Sequence, residues 1–330
     1  MHPGLAGLKG VYDQGRLAIL QRVGYADSER SHFRGGDIWA TARPDSPDGP
    51  GWIGRWIDLQ AKPIDPLIAW NTGSSLPHTL EALSVSIPSI SSADGYGFSG
   101  PNGGSEESLS SLSAARAIAS HVPVNRPHLA LVSKSVQATM ETLDRVASVS
   151  SYAPSVTYPG NGLGSALETI AAAIATGVGT KVFWVATGGY VTHSNQTPNG
   201  GFYAGLMGTL GGALAAFYTD LANQGLLSST LVLQYSEFAR RIDENGSQGT
   251  DHGAAGVMLA LGGGVQGGLY GTAPNLNPFA GNPTLENNGR DVTYGIDFRS
   301  VYARVLDNWL GANSLSVLGG DYRVPSLSFV

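Results

Sequence analysis

Residues 231–253 read LVLQYSEFARRIDENGSQGTDHG and join an apolar run to a polar, glycine-rich turn. The run LVLQY is apolar and β-prone, which predicts a buried strand. In α/β proteins, chemically active residues lie where buried strands end. We therefore expect Glu237, Asp251 and His252 to lie together at one edge of a sheet, with Gly253 allowing the backbone to bend. The pair Asp251 and His252 is a candidate metal or acid/base site, and a polar surface loop is the alternative interpretation.

Strands and helices alternate on both sides of this segment, which predicts an α/β fold with a layered α/β/α sheet. Apolar runs predict strands at residues 17–23, 180–187 and 256–261. Helical spacing of apolar residues predicts helices at residues 5–15, 108–120, 129–149, 162–175, 202–224 and 298–310.

The chain is expected to form a single α/β domain over residues 1–330, because no linker divides it. Residues 43–150 are the exception to the regular pattern. They contain an irregular Pro-, Gly- and Ser-rich excursion, followed by two helices that form a helical flank or an inserted pair. Trp52, Trp56 and Trp70 within the excursion indicate that it is ordered and packed on the core.

The composition supports a sizeable core and excludes several classes of partner and chemistry. Hydrophobic residues make up 42% of the chain and charged residues 13%. The net charge of −6 provides no basic field for a phosphate backbone, so nucleic acid is not an expected partner. No apolar run reaches the roughly 18 to 20 residues of a membrane helix, so a membrane is not expected either. The absence of cysteine excludes disulfides and thiolate chemistry.

Residues 262–267, GGGVQG, match the dinucleotide-binding fingerprint and follow a predicted strand. Gly268, Gly271 and Pro274 come next instead of a helix, so no helix N-terminus is available to hold a pyrophosphate. We therefore reject a dinucleotide site here. The Gly-x-Ser-x-Gly, Ser-x-x-Lys and Walker sequences do not occur, which weakens the serine-hydrolase and nucleotide-hydrolase interpretations.

Four short motifs occur in order along the chain: Arg-Ser-His-Phe at 30–33, Gly-Gly-Tyr-Val-Thr-His at 188–193, Ser-Glu-Phe-Ala-Arg at 236–240 and Thr-Asp-His-Gly at 250–253. Together they resemble the bacterial family called domain of unknown function 1501, over almost the whole chain. The resemblance implies a three-layer α/β/α sandwich of the alkaline phosphatase-like superfamily. It also implies hydrolysis of phosphate or sulfate esters at a metal site, and export by the twin-arginine route, although the first residues contain no signal sequence.

Two departures from the family pattern concern the metal site. Members of the family begin with a strand that ends in an acidic metal ligand, and this sequence starts after that region. Val191 stands where the family has an aspartate. The residues left to supply at most one set of ligands are His193, Asp251 and His252, with Glu237 or His32. We therefore expect one divalent metal or none.

Without a metal, the three histidines remain suited to proton transfer near neutral pH. His252 is the residue expected to act as base or ligand, oriented by Asp251, while Glu237 orients either a histidine or an arginine. The catalytic candidates are His32, His193, His252, Asp251 and Glu237. The candidates for binding a sulfate or phosphate group are Arg30, Arg34, Arg240 and Asn195.

The preferred function is hydrolysis of sulfate or phosphate esters, with a small-molecule ester as the partner. Two alternatives stay open. The first is an esterase or phosphotriesterase that acts on less anionic esters. The second is a non-catalytic relic of the family, disabled by the change at Val191 and by the missing first strand.

Overall fold

The computed structural model describes residues 1–100, 102, 104–121, 126–196, 201–279 and 281–330. A short 3₁₀ helix, Pro3–Leu8, opens the chain. The α-helices of the described part are α1 (Lys9–Asp13), α2 (His32–Thr41), α3 (Trp52–Asp58), α4 (Ser105–Ser120), α5 (Pro127–Ala147), α6 (Gly162–Ala175), α7 (Phe202–Asn223), α8 (Phe298–Asn308) and α9 (Ser314–Leu318). The strands are β1 (Leu17–Gly24), β2 (Ala69–Asn71), β3 (Val182–Trp184), β4 (Leu231–Gln234), β5 (Ala239–Arg240), β6 (His252–Gly253), β7 (Gly256–Gly262), β8 (Gly268–Tyr270), β9 (Leu285–Glu286), β10 (Asp291–Val292) and β11 (Ile296–Asp297).

Strand β1 lies inside a mixed five-stranded sheet. One edge of β1 pairs antiparallel with β7, and β7 pairs antiparallel with β4. The other edge pairs in parallel with β8 and then with β11. The sheet order is therefore β11-β1-β7-β4, with β8 beside β1. The remaining strands form separate two-stranded pairs, which are β2 with β3, β5 with β6, and β9 with β10.

Alternate residues of the central strands pack against helices on opposite faces of the sheet. Ala18 and Leu20 of β1 belong to a hydrophobic core with residues of α2, α3, α8 and α9. Leu17 and Ile19 pack in a second core with residues of α6 and α7. This two-residue period follows from the pleat of a strand, which points successive side chains to opposite faces. The predicted α/β class is confirmed, with a mixed central sheet and helices on both faces.

Several predicted elements differ from the observed ones. The helix predicted at residues 5–15 is divided between a 3₁₀ helix and the short helix α1. Helix α2, which begins at His32, lies outside the six helices predicted from the sequence. The rejection of a dinucleotide site is supported, because β7 ends at Gly262 and the next regular element is strand β8 rather than a helix.

The excursion within residues 43–150 is attached to the core through its tryptophans. Trp52 and Trp56 of α3 are buried in the core that contains β1. Trp70 of β2 is fully buried, and its indole Nε1 donates to the carbonyl of Ile90 at 2.8 Å. The two helices predicted after the excursion are α4 and α5, which are joined by the ion pair of Arg116 and Asp144 at 2.5 Å.

None of the helices in the described ranges combines the length and the apolar character that a membrane crossing requires.

The carboxylate of Asp220 on α7 is fully buried and accepts four hydrogen bonds from residues 152–158. Its Oδ2 accepts from the hydroxyls of Tyr152 at 2.8 Å and Tyr158 at 2.9 Å. Its Oδ1 accepts from the backbone N–H and the hydroxyl of Ser155, both at 2.8 Å. Burial alone would raise the pKa of Asp220, but these hydrogen bonds outweigh it and hold the pKa below its usual range.

We expect Asp220→Ala to lower the free energy of unfolding by about 3 kcal/mol, because it leaves two tyrosine hydroxyls and one serine without their acceptor. The measurement is urea denaturation at neutral pH. Asp13→Ala is the control, because Asp13 forms an exposed ion pair with Lys9, and its loss should change stability by no more than about 0.5 kcal/mol. Equal stability of the two variants would contradict this role of Asp220.

Candidate active site

Four segments that are distant in sequence meet beyond the ends of strands β1, β3 and β4. His32 is the first residue of α2, which follows β1. His193 lies in the loop after β3, and Glu237 lies just after β4. His252 begins β6, which pairs with β5 at Arg240. The convergence expected from the sequence is therefore present in the structure.

The imidazole ring of His252 contacts the rings of both other histidines. The ring of His252 lies between the other two, with centroid separations of 4.8 Å to His32 and 4.7 Å to His193. The ring of Phe238 stacks on His252 at 4.1 Å and lies 4.7 Å from the ring of His32. Phe238 thus forms an apolar wall behind two of the three histidines.

Glu237 orients His32. Its Oε1 lies 2.7 Å from Nδ1 of His32, and its Oε2 accepts a hydrogen bond from the hydroxyl of Ser236 at 2.8 Å. Burial would raise the pKa of Glu237, but hydrogen bonds from its own backbone, from His32 and from Ser236 outweigh it and lower the pKa. The carboxylate is therefore an acceptor, Nδ1 of His32 is the donor, and Nε2 of the neutral ring carries the lone pair.

The tautomer of His252 follows from the backbone. Its Nδ1 lies 2.7 Å from the carbonyl oxygen of Arg30, and because a carbonyl can only accept, Nδ1 must donate. Nε2 of the neutral ring is then an acceptor. It lies 3.0 Å from Nε2 of His193, which must be the donor in this pair.

The expectation that Asp251 orients His252 is wrong. Asp251 Oδ1 lies 3.4 Å from Nδ1 of His193, so the carboxylate faces the neighbouring histidine. A hydrogen bond from Asn245, together with those from His193 and the charge of Arg241, lowers the pKa of Asp251 and keeps it ionised. The backbone carbonyl of Arg30 performs the role that was expected of Asp251.

The pKa of His252 lies below that of an ordinary histidine. Burial of the ring is the largest cause, and the positive charges of Arg240, His193 and His32 act in the same direction. The hydrogen bond to the Arg30 carbonyl acts in the opposite direction and is outweighed. Lowering the pKa of a histidine favours its neutral form, so His252 remains an acceptor at neutral pH.

The arginines predicted to bind an anion are in different situations. Arg30 is committed to the protein, because its Nη2 lies 2.5 Å from the fully buried carboxylate of Asp291. Arg34 is exposed and reaches the carbonyl of Pro44 at 3.5 Å. Arg240 donates to Thr250 through Nε and Nη2, while its Nη1 is buried without a partner in the described chain. Nε of Arg30 is also buried without a partner in the described chain, and of these two arginines Arg240 is the one whose charge acts on His252.

Asn195, the fourth candidate for anion binding, takes part in loop structure. It has a positive φ of 48°, and its backbone N–H donates to the carbonyl of Ser247 at 3.0 Å. Its neighbour Gln196 accepts hydrogen bonds from the hydroxyls of Thr192 at 2.8 Å and Thr250 at 2.7 Å. These contacts join the loop that carries His193 to the loop that carries His252.

Two glycines allow these loops to approach closely. A Cβ at Gly249 would lie 2.2 Å from the carbonyl carbon of His193. A Cβ at Gly253 would lie 2.5 Å from the carbonyl carbon of Arg240. The glycine at 253 is therefore required by the approach of two backbones, rather than by the bend expected from the sequence.

Sequence reasoning missed two residues of this site. Phe238 lies inside a motif that carries the resemblance, but its stacking on His252 depends on the fold. Asn245 donates to Asp251 at 3.1 Å and to the carbonyl of His193 at 2.9 Å. Its position in a polar, glycine-rich turn gave no specific signal, because asparagine is common in turns.

The residues named as metal ligands fit a metal ion poorly. In the described ranges, no group of three or more His, Cys, Asp or Glu side chains is arranged to hold one. His193 and His252 bring two nitrogens together, but Asp251 faces the opposite nitrogen of His193. Structural and catalytic zinc sites need at least three protein ligands. The proposed reaction therefore uses side chains of the protein alone.

Replacing Arg240 with Gln should raise the pKa of His252, because a positive charge that opposes protonation of the ring is removed. The measurement is an NMR titration of the histidine ring signals, with His252 assigned by its loss in His252→Ala. Arg116→Gln, on the exposed helix α4, is the control and should leave the midpoint unchanged. An unchanged or lower midpoint in Arg240→Gln would contradict the assignment of this charge effect.

The comparison with protein families covers three of the four motifs, those at 188–193, 236–240 and 250–253. The family model described as protein of unknown function (DUF1501) matches residues 107–317, about two thirds of the chain. No curated protein and no solved structure matches the sequence. The matched region contains His193, Glu237 and His252, while His32 lies before it. The chain belongs to the DUF1501 family.

Proposed function

We propose that this protein hydrolyses sulfate or phosphate esters of small molecules, as a member of the alkaline phosphatase-like superfamily. The observation that supports this most is the pair of Glu237 and His32, 2.7 Å apart, whose imidazole lies beside that of His252. A carboxylate-held imidazole next to a second, neutral imidazole provides separate groups to accept and to donate a proton. The layered packing of helices on both faces of the sheet is compatible with the superfamily proposal.

His32 is the proposed general base. Glu237 fixes Nδ1 of His32 as the donor, so the lone pair of the neutral ring is on Nε2. The side chain of His32 is 47% exposed. In the described chain no hydrogen bond occupies this Nε2, which leaves it accessible to a water molecule. His32 would remove a proton from that water as the water oxygen attacks the sulfur or phosphorus atom.

His193 and His252 are proposed to supply the proton that the leaving group needs. His193 holds a proton on Nε2 between the two rings, 3.0 Å from Nε2 of His252. In the proposed acid form, His193 carries a second proton on Nδ1, which faces Asp251. The ring can then release its Nε2 proton and remain a neutral imidazole. The ester oxygen would take that proton as its bond to sulfur or phosphorus breaks. The proton gained by His32 later returns to the pair through solvent, which completes the cycle.

Arg240 is the proposed contact for the sulfate or phosphate group. Its Nη1 is buried and lacks a partner in the described chain, and leaving such a donor unpaired costs free energy. An oxyanion would satisfy this donor with a charge-assisted hydrogen bond. The charge of Arg240 also lowers the pKa of His252, which supports a contact of both residues with one substrate.

The proposal predicts hydrolysis of aryl sulfate or aryl phosphate that depends on His32 and His252. We expect His32→Ala and His252→Ala each to lower kcat/KM by about 10²- to 10⁴-fold, the usual contribution of general acid–base catalysis. The measurement is release of the aryl alcohol by purified protein of known metal content. His121→Ala is the control, because His121 is exposed at the end of α4 and should leave the rate unchanged.

The same assay separates the proposal from its alternatives. Turnover of aryl acetate alone would favour an esterase for less anionic substrates and would contradict the proposal. Absence of turnover on aryl sulfate, aryl phosphate and aryl acetate would favour a non-catalytic relic. Equal rates for His32→Ala and the unmodified protein would exclude the proposed base even if an ester were hydrolysed.

The pH dependence gives an independent prediction. The proposed donor pair needs neutral His252, since a proton on its Nε2 would face the Nε2 proton of His193. Activity should therefore be lost as the pH falls through the pKa of His252. Because that pKa is lowered, an NMR titration of the His252 ring should have its midpoint below about 6.5, the value of an ordinary histidine. A midpoint clearly above 6.5 would be inconsistent with neutral His252 as part of the mechanism.

A further inference from the structure

Strands β3 and β4 each have one paired edge and one unpaired edge. The backbone of β4 is hydrogen-bonded to β7, and that of β3 to β2. No backbone hydrogen bond of the described chain joins β3 to β4, and the two strands belong to different sheets. Every residue of both strands is half-buried, whereas most of β7 is fully buried.

A cavity of about 1880 Å³ is lined by residues of both strands, among others. It is lined on one side by residues 182–187, from β3 onward, and on the other by residues 231–235, from β4 onward. This volume is roughly twice the upper limit for typical small-molecule pockets. We call this space the inter-strand cavity.

The inter-strand cavity lies in the layer of the sheet, because helices of both outer layers form its other walls. Trp39 and Trp56, from α2 and α3, line it on one face. Leu167 of α6 and Leu214 of α7 line it on the other. These four wall residues are apolar. The charged and histidine lining residues are His2, His32, Asp37, His78, Lys181, Glu237 and Arg240.

The two edges run in the same direction. The chain leaves β3 toward His193 and leaves β4 toward Glu237, and both of these residues belong to the candidate active site. Near this end the rings of Trp184 and Tyr235 meet at 5.9 Å. The inter-strand cavity is thus bordered by two parallel edges that end at the same site.

We propose that the inter-strand cavity is a binding site for an extended apolar peptide strand that is not part of residues 1–330. Such a strand would pair with β3 on one side and β4 on the other, and would join the two sheets in the order β11-β1-β7-β4-strand-β3-β2. Helices already cover both faces of this layer, so the added strand would be apolar on both faces, as buried central strands are.

Hydrogen bonding favours a polypeptide over an acyl chain in this position. The N–H and C=O groups on the inner edges of β3 and β4 would be buried by any apolar occupant, and buried unpaired backbone groups are costly. A hydrocarbon cannot satisfy them, whereas a strand satisfies both edges along its whole length. The cavity is lined by residues 182–187 on one side and 231–235 on the other. Paired strands have nearly the same rise per residue, so an added strand of roughly five or six residues would match both segments.

The test uses a synthetic probe, a hexamer of alternating valine and isoleucine with two lysines at its N-terminal end for solubility. Its binding to the 330-residue protein is followed by fluorescence anisotropy and by amide hydrogen exchange. We expect binding at least tenfold tighter than that of the same peptide with alternate backbone nitrogens methylated, which keeps the side chains and removes hydrogen-bond donors. We also expect exchange to slow at β3 and β4.

A protein variant provides the matched control for position. Ala186 is exposed and lines the inter-strand cavity, so Ala186→Trp should obstruct it and weaken peptide binding by at least tenfold. Ala222 is equally exposed at the end of α7 and does not line it, so Ala222→Trp should bind the peptide unchanged. Thermal unfolding of both variants shows whether either has lost its fold.

Four results would overturn the proposal. The first is absence of peptide binding, and the second is equal binding of the methylated peptide. The third is displacement of the peptide by laurate, with no slowing of amide exchange at β3 and β4. The fourth is slow amide exchange at both strands in the protein without peptide, together with self-association in analytical ultracentrifugation. This result would make a second copy of the protein the occupant.

Discussion

The hydrogen bond from Nδ1 of His252 to the carbonyl oxygen of Arg30 determines the proton arrangement between His252 and His193. Because a carbonyl cannot donate, this contact makes Nε2 of neutral His252 an acceptor, and His193 must then donate to it. Arg30 is itself held by its guanidinium, which pairs with Asp291, a fully buried carboxylate on β10. A structural ion pair thus positions a backbone atom, and that atom selects the tautomer of a candidate catalytic histidine.

The sequence predicted the elements more reliably than the contacts between them. The strand at β1 and the helices α6, α7 and α8 follow from apolar periodicity, which is a local property of the chain. The meeting of His32, His193 and His252 could also be expected, because each lies in the polar segment that follows a predicted strand. The beginning of α2 at His32 could not, because no N-cap side-chain bond marks it and Ser31 alone is a weak signal.

The pairing of Asp251 with His193 could not be predicted from the sequence, for a different reason. Asp251 and His252 are adjacent, so orientation of the second by the first was a reasonable expectation. Adjacent residues of a strand point to opposite sides, and His252 is the first residue of β6. Asp251 accordingly faces His193, which lies on a different loop. Arg30 was expected to bind an anion, but its guanidinium pairs with Asp291, and a contact between segments so far apart in the chain cannot be read from the sequence.

The inter-strand cavity and the candidate active site are connected through the same two strands. The loop after β3 carries His193, and the loop after β4 carries Glu237, so the separation of the strands affects the separation of these groups. The direct contacts that hold the site together involve the β5–β6 hairpin and the loops around Thr192 and Thr250. They leave the edges of β3 and β4 free to accept another strand. Pairing on both edges would restrict the two loops at their bases, and would therefore order the histidine cluster without contacting the substrate.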